Sequence, residues 1–244
     1  MHKLGHTRST NQRDHLLHTP DTFVRAALPG MTACIAIVHI SPAGGAQFTQ
    51  YTAELEQGGT LGATNAQRFL YVLDGNVELT VEGATHPLTP GGYAYLPPGT
   101  AHRLYASKTA RVAVIEKNYV ALSRATAPTV LIGHEGSVLP TALMGDDDLQ
   151  VRSLLPDNPS FDFAVNTMTY QPGAALSMVE VHVMEHGLLM LEGGGIYRLG
   201  DQWYPVTAGD FIWMGPFCPQ WFGALGKQPA KYLIYKDWNR HPLA

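Results

Sequence analysis

Three potential metal ligands lie close together in an otherwise apolar segment. Residues 180–187 read EVHVMEHG and include Glu180, His182 and His186. If this segment is an extended strand, Glu180 and His182 share one face, because alternate residues of a strand do so. A carboxylate and an imidazole buried in a protein interior are costly unless they are paired, and a bound cation would satisfy both. The alternative is a buried Glu and His that hydrogen-bond to each other without a metal.

Composition limits the partners that such a site could serve. The chain has 244 residues, 45% of them hydrophobic and 15% charged, which is typical of a globular protein. A formal charge of -4 provides no basic surface for nucleic acid or anionic lipid. No apolar run approaches the ~20 residues of a transmembrane helix, and residues 1–23 lack the apolar core of a secretory signal. Cys34 and Cys218 lie far apart and indicate no disulfide framework. We predict a cytoplasmic protein that binds neither nucleic acid nor membranes.

The segments around the candidate ligands are typical of short β-strands, and they occur twice. Runs of β-branched and aromatic residues are broken by Gly, Pro or Asp at intervals of about 8–12 residues, as in an all-β sandwich or barrel. Residues 69–106 align without a gap with residues 187–224, with Gly75 opposite Gly193 and Gly91 opposite Gly209. Chance similarity between two strand-rich segments is the alternative. We predict an all-β fold of two tandem jelly-roll β-barrels, a first barrel with its extension in residues 1–123 and a second in residues 124–244.

Two motifs resemble those of the cupin superfamily. Residues 91–102, GGYAYLPPGTAH, have the spacing G-x5-P-x-G-x2-H of the second cupin motif. The first motif, H-x-H-x3-4-E, corresponds in the second copy to residues 180–186, and its second motif ends at position 220 where a His is usual. The resemblance implies a bicupin whose C-terminal barrel has four metal ligands: Glu180, His182, His186 and Gln220.

The first copy lacks a matching ligand set. The positions that correspond to Glu180, His182 and His186 are Gly62, Thr64 and Arg68, and only His102 is a potential ligand there. Metal sites need three or four convergent donors, so we interpret His102 as a hydrogen-bonded core residue. The N-terminal barrel is therefore predicted to be structural.

The donor set of the second copy also indicates which metal it binds. Two imidazole nitrogens, a carboxylate oxygen and an amide oxygen, without thiolate, favour Mn²⁺ or Fe²⁺, and we predict Mn²⁺. Four protein ligands leave two positions of a six-coordinate ion for water or substrate, as a catalytic site requires. We interpret Cys218, two residues before Gln220, as a packing residue.

A more specific resemblance covers nearly the whole chain. Residues 19–31, 157–206 and 232–240, together with the pattern E-x-H-x3-H and a distal Gln, are similar to the bicupin (S)-ureidoglycine aminohydrolases. The resemblance implies hydrolysis of the small ureido substrate (S)-ureidoglycine to (S)-ureidoglycolate and ammonia, in allantoin (purine) catabolism and with Mn²⁺. It places Tyr197, Tyr232 and Lys236 against the substrate, and we include Glu180 with them in the catalytic set.

Elementary chemistry is consistent with those roles. In a strand, Tyr232 and Lys236 share one face. Lys236 can pair with the substrate carboxylate, or transfer a proton if burial lowers its pKa. Tyr197 and Tyr232 can hydrogen-bond the polar edges of the substrate, although each could instead be a wall residue with its hydroxyl in solvent.

Two other functions are consistent with the same residues. A cupin oxygenase or isomerase needs the same open metal positions, and bound Fe²⁺ with O₂ consumption would identify the oxygenase. A non-catalytic small-ligand-binding cupin would have a poorly occupied metal site and would release no ammonia. Residues 19–38 are more apolar than one barrel needs, so we also predict a homo-oligomer.

Overall fold

The computed structural model describes residues 5–240, and nearly all of its regular structure is β-strand. Residues 1–4, which begin the stretch judged above not to be a secretory signal, and residues 241–244 lie outside this range. The strands of the first half are β1 Thr10–Asn11, β2 His15–His18, β3 Arg25–Ala26, β4 Met31–Ile40, β5 Thr49–Leu61, β6 Gln67–Asp74, β7 Val77–Val81, β8 Ala84–Leu88, β9 Gly92–Leu96, β10 His102–Tyr105 and β11 Ala110–Lys117.

Ten further strands follow. They are β12 Leu131–His134, β13 Thr141–Leu143, β14 Asp146–Ser153, β15 Phe163–Tyr170, β16 His186–Glu192, β17 Gly194–Leu199, β18 Gln202–Thr207, β19 Phe211–Met214, β20 Gln220–Ala224 and β21 Ala230–Asp237. Short 3-10 helices occupy Pro20–Thr22, Pro42–Gly44 and Glu135–Ser137. No helix in residues 5–240 is long and apolar enough to cross a membrane.

The predicted repeat is confirmed strand by strand. Strands β6 to β11 recur in the same order as β16 to β21. The matched glycines Gly75 and Gly193 have φ angles of +72° and +64°, and a Cβ at either would collide with a backbone oxygen, of Thr109 and Pro229 respectively. Only glycine accepts this combination of left-handed backbone and close approach, which explains why both copies have it at the same turn.

The chain separates into two compact units, but not at residue 123 as the sequence predicted. Of the described residues, the C-terminal unit contains 5–23, 140–153 and 163–240, and the N-terminal unit contains 24–139 and 154–162. The difference arises because strand pairing, and not position along the chain, determines which unit a segment joins. Strand β2 pairs with β19, placing Leu17 opposite Ile212, and β12 pairs with β9. Both additions cover sheet edges that would otherwise be free to pair elsewhere.

Each unit has its own apolar core. The N-terminal unit is one ten-stranded sheet, and buried aliphatic residues such as Leu79, Leu104 and Val112 form its centre. In the C-terminal unit an eight-stranded sheet, β1-β2-β19-β16-β21-β15-β14-β13, and a three-stranded sheet, β18-β17-β20, contribute to a single core. Leu188 of the larger sheet and Phe222 of the smaller are both fully buried in it. The candidate ligands belong to this C-terminal unit.

Candidate functional site

The backbone brings together the four candidate ligands, which are up to forty residues apart in sequence. Glu180 and Gln220 form an isolated antiparallel bridge, in which Glu180 N donates to Gln220 O at 2.8 Å and Gln220 N donates to Glu180 O at 3.0 Å. The carbonyl of His182 accepts a hydrogen bond from the Phe217 amide at 2.7 Å. His186 is the first residue of β16, and Gln220 is the first of β20. Glu180 lies at an isolated bridge and His182 in the irregular segment that follows it.

The four side chains converge on one atom, Nε2 of His182. It lies 2.7 Å from the amide nitrogen Nε2 of Gln220, 3.3 Å from Nε2 of His186 and 3.9 Å from Oε2 of Glu180. Two neutral imidazoles that face each other through Nε2 cannot hydrogen-bond to each other unless one of these nitrogens carries a proton. A cation bound among these side chains would satisfy the two rings and the carboxylate, and a turn of the Gln220 amide would present its oxygen in place of Nε2. The donor set therefore fits a divalent metal ion.

The surroundings of His186 keep its ring in the form that a metal needs. Its Nδ1 lies 3.3 Å from the carbonyl oxygen of Tyr235, which accepts a proton on Nδ1 and leaves the lone pair on Nε2 available. Burial holds the pKa of His186 well below its usual value, and the charge of the nearby Lys236 acts in the same direction. The imidazole is therefore neutral at pH 7, as a ligand must be.

The segment before His186 corrects one expectation. A continuous strand through residues 179–183 was predicted, but only Glu180 makes a bridge there, and β16 begins at His186. The alternation of faces is nevertheless present, because the side chains of Glu180 and His182 are about one-quarter exposed whereas Val181 is 56% exposed. Met178, two residues before Glu180, is also exposed. The backbone of this segment pairs with the strand that carries Gln220, at one residue only.

The three residues predicted to contact a substrate lie on strands of the same unit. Lys236 is directly opposite His186 in the ladder between β21 and β16. Burial lowers the pKa of Lys236, and the negative charge of Glu180 partly opposes this. Tyr197 and Tyr232 are almost fully buried, and burial raises the pKa of both phenols well above the usual value. Both remain protonated hydrogen-bonding groups in the interior, not wall residues with hydroxyls in solvent.

One residue near these tyrosines was missed by sequence reasoning. The hydroxyl of Tyr170 lies 2.7 Å from the hydroxyl of Tyr232, and burial raises the pKa of Tyr170 as well. The ring of Phe222 packs against Tyr170, Tyr197 and Tyr232, with centroids 4.9, 5.4 and 5.8 Å away. Tyr170 ends strand β15 and is paired with Ala230, and only that register shows its place beside Tyr232.

In the N-terminal unit, a guanidinium takes the central place among the corresponding residues. Nη1 of Arg68 donates to the carbonyl of Gly62 at 2.6 Å and lies 2.7 Å from Nε2 of His102. Nε and Nη2 of Arg68 donate to Oε1 of Glu116 at 2.9 and 2.7 Å. The ring of His102 also bonds the Thr100 carbonyl through Nδ1 at 2.7 Å. Both nitrogens of His102 are thus hydrogen-bonded, consistent with its interpretation as a core residue.

The repeat makes this arrangement informative. Gly62, Arg68 and His102 align with Glu180, His186 and Gln220. Arg68 therefore contacts the residues at the two other aligned positions, Gly62 and His102. The guanidinium is a permanent positive charge, and Glu116 balances it through an ion pair in which Arg68 is almost fully buried. The N-terminal unit therefore has an internal cation of its own at the positions where the C-terminal unit has the candidate metal ligands.

Comparisons with known proteins identify two cupin domains in this chain. Residues 42–119 match the family model of the EutQ-like cupin domain, and residues 166–235 match that of the cupin domain. A relative from Arabidopsis thaliana named (S)-ureidoglycine aminohydrolase is 43% identical over 98% of this chain and 80% of its own length. One of the same name from Escherichia coli (strain K12) is 33% identical over 92% of this chain and 88% of its own length.

A solved structure shows the same fold over almost the whole chain. The putative glyoxylate induced protein from Pseudomonas aeruginosa is 30% identical, with a TM-score of 0.89, and the match covers 99% of this chain and 94% of that one. The tandem cupin domains and the identity to relatives over nearly the full length lead to one assignment. The chain belongs to the (S)-ureidoglycine aminohydrolase family of bicupin enzymes.

Proposed function

We propose that this protein catalyses the Mn²⁺-dependent hydrolysis of (S)-ureidoglycine to (S)-ureidoglycolate and ammonia, as a step of allantoin breakdown. The observation that carries the proposal is the convergence of Glu180, His186 and Gln220 on Nε2 of His182. The names of the relatives supply the reaction, and the donor set supplies the metal. Oxygen and imidazole donors without thiolate suit Mn²⁺ among the divalent ions.

The metal ligands, Lys236 and the two tyrosines have separate roles in this proposal. The four ligands would hold the cation, which when bound would act as a Lewis acid toward the substrate. The ammonium of Lys236 pairs with the substrate carboxylate, while the protonated phenols of Tyr197 and Tyr232 donate to the ureido oxygen or accept from its N–H groups. These contacts fix the aminal carbon in one orientation, which accounts for selection of one enantiomer.

The overall reaction exchanges one bond at the aminal carbon. The bond from this carbon to the amino nitrogen breaks, the oxygen of a water molecule bonds to the same carbon, and one water proton leaves with the nitrogen as ammonia. Glu180 is the carboxylate of the site, and it is placed to pass that proton between water and the leaving amine. The buried ring of Phe222, packed against the tyrosines, keeps bulk water from this side of the substrate.

Ammonia release is the direct test of the proposed reaction. Protein stripped with a chelator and given freshly generated (S)-ureidoglycine should release ammonia only after Mn²⁺ is restored, with one Mn²⁺ bound per chain. A sample without protein measures spontaneous decomposition, and the R enantiomer is the matched substrate control. Release at the background rate with every divalent ion, or O₂ consumption with Fe²⁺ during turnover, would contradict the proposal and favour a cupin of another activity.

We also propose that the protein is a homo-oligomer in the cytoplasm, without nucleic-acid or membrane partners. Val24 and Leu139 of the N-terminal unit are 78% and 86% exposed, although part of the apolar stretch 19–38, such as Ile37, is buried in the unit itself. Large exposed apolar side chains favour a protein interface. Light scattering at working concentration should give a multiple of the 26.5 kDa chain mass, and a monomeric mass would contradict this. The two free cysteines suit a reducing compartment.

A further inference from the structure

A second group of potential metal ligands lies in the C-terminal unit, beside the first residue of strand β2. Among the residues that the structure describes, Asp14, His15 and Cys218 each place a ligand atom within 4.8 Å of the other two. Oδ1 of Asp14 is 2.9 Å from Nδ1 of His15. His15 and Cys218 are buried, and the carboxylate of Asp14 is 45% exposed. None of these three residues belongs to the site around His182.

The backbone holds the three residues in place. The amide of Gly215 donates to the Asp14 carbonyl at 2.8 Å, and the amide of Cys218 donates to the Gly215 carbonyl at 3.2 Å. In the ladder of β2 and β19, His15 is opposite Met214. The cluster is therefore fixed between an N-terminal strand and the turn that leads to β20.

The hydroxyl of Tyr204, which bonds Nε2 of His15, allows Nδ1 of His15 to become a metal ligand. Nε2 of His15 lies 2.9 Å from the hydroxyl of Tyr204. A hydroxyl can donate or accept, so Tyr204 is compatible with either tautomer of the ring. When Nδ1 carries the proton, it donates to Asp14 and Tyr204 donates to Nε2. When Nε2 carries the proton, it donates to Tyr204 and the lone pair on Nδ1 faces Asp14, the arrangement that metal-ligating histidines adopt with an outer partner.

There is open space on the side of the cluster that faces Nδ1. A pocket of about 370 Å³ is lined by Asp14, His15, Gly200, Pro219 and their neighbours. Gly200 has a φ of +57°, and a Cβ at this position would lie 3.4 Å from Oδ2 of Asp14 and 3.9 Å from Nδ1 of His15. The missing side chain of Gly200 thus leaves the ligand atoms accessible from the pocket.

We propose that Asp14, His15 and Cys218 form a second cation site, selective for a thiophilic divalent ion such as Zn²⁺. One sulfur, one nitrogen and one oxygen donor are a set that Zn²⁺ accepts and Mn²⁺ does not prefer. Ideal tetrahedral bonds place such donors about 3.3–3.6 Å apart. Oδ1 of Asp14 and Nδ1 of His15 are 2.9 Å apart, so this pair must separate slightly. The sulfur lies within 4.8 Å of both other ligand atoms, so its contacts must close by at most about 1.5 Å. The fourth position faces the pocket and takes water. Binding replaces the thiol proton of Cys218, which leaves to solvent.

Cobalt is the probe that separates this site from the site around His182. Co²⁺ added to the full-length, chelator-treated protein should produce a sulfur-to-cobalt charge-transfer band, because only the second site has a thiolate. The band should persist in Cys34→Ser, which alters the other buried cysteine, and should disappear in Cys218→Ser. Excess Zn²⁺ should abolish the band in the wild-type protein and Mn²⁺ should not. No band in the wild type, or a band that persists in Cys218→Ser, would overturn the proposal.

A measurement on the wild-type chain removes the dependence on a variant that could fail to fold. Alkylation of the two thiols followed by peptide mass spectrometry should show Zn²⁺ slowing modification of Cys218 by at least about tenfold, the effect of about 1.4 kcal/mol of protection, while Cys34 changes little. Equal rates with and without Zn²⁺ would overturn the site. Ammonia release with Mn²⁺ is measured separately, so failure of the proposed reaction and failure of this site give different results.

Discussion

His186→Ala should abolish both Mn²⁺ binding and ammonia release. The variant removes the imidazole nitrogen that lies 3.3 Å from Nε2 of His182, and with it one of four donors. Losing only an outer partner of a ligand already weakens metal binding by about 10–100-fold, so losing a ligand should cost more. Mn²⁺ content after dialysis should fall below detection, and kcat should fall by more than about a thousand-fold, or about 4 kcal/mol.

The matched control lies in the other unit. His102 aligns with Gln220, and its two ring nitrogens bond Arg68 and the Thr100 carbonyl. His102→Ala removes both bonds. Its loss leaves a donor of a buried guanidinium without this partner, so the free energy of unfolding should fall by about 1–3 kcal/mol. Mn²⁺ content and turnover of the folded protein should be nearly unchanged. If His102→Ala folds but is inactive while His186→Ala is active, the catalytic site has been assigned to the wrong unit.

Lys236→Met should retain the metal and lose turnover. The ammonium is not among the four ligands, but it is opposite His186 in the ladder, where it can reach a substrate bound at the cation. Losing a charge-assisted contact in the transition state costs about 2–4 kcal/mol, or roughly thirty- to a thousand-fold in rate. Mn²⁺ content should stay at one per chain. A variant that lost both metal and turnover would show that Lys236 acts through the metal site.

Two further measurements refine the role of Lys236. Burial lowers the pKa of Lys236 from its ordinary value of 10.5, so the charged form that pairs with the carboxylate is lost as the pH rises through this lowered pKa. Activity should therefore fall on the alkaline side, and Lys236→Arg should shift that fall to higher pH. An activity that rises instead would identify the neutral amine as a base. Lys231→Met alters a lysine of the same strand outside the proposed site and should leave kcat unchanged.

The repeat in the sequence was enough to predict the candidate ligand set. Glycine positions fixed the alignment, and the alignment showed which copy has His and Glu at the motif positions. The structure brings Glu180, His182, His186 and Gln220 together because the irregular segment before β16 forms one isolated bridge with the first residue of β20. The point at which the regular strand begins was not predictable from the sequence. Side chains can alternate between two faces without a hydrogen-bonded ladder, and the segment before His186 does so.

Other features depend on contacts distant in sequence. Strand β2 joins the C-terminal unit through a ladder with β19, and no local pattern in HLLH indicates which sheet edge it will cover. Nothing in the sequence distinguishes Tyr170 from another tyrosine at the end of a strand. Its pairing with Ala230, which only the structure shows, places it beside Tyr232. Arg68 was recognised as a departure from the ligand pattern, but its hydrogen bonds to the residues that replace the other ligands required side-chain geometry.

The guanidinium of Arg68 has a consequence for the order in which the chain matures. It is covalently part of the chain, so neither dilution nor a chelator can remove it, and the N-terminal unit has its interior charge as soon as the chain folds. That unit still waits for Asp162, which bonds Gln67 and Lys117 and emerges from the ribosome after the first barrel. The C-terminal unit, by contrast, combines residues 5–23 with residues 163–240. One barrel thus has its interior cation in its own sequence, whereas under the proposed function the other would acquire its cation only after these distant segments have joined.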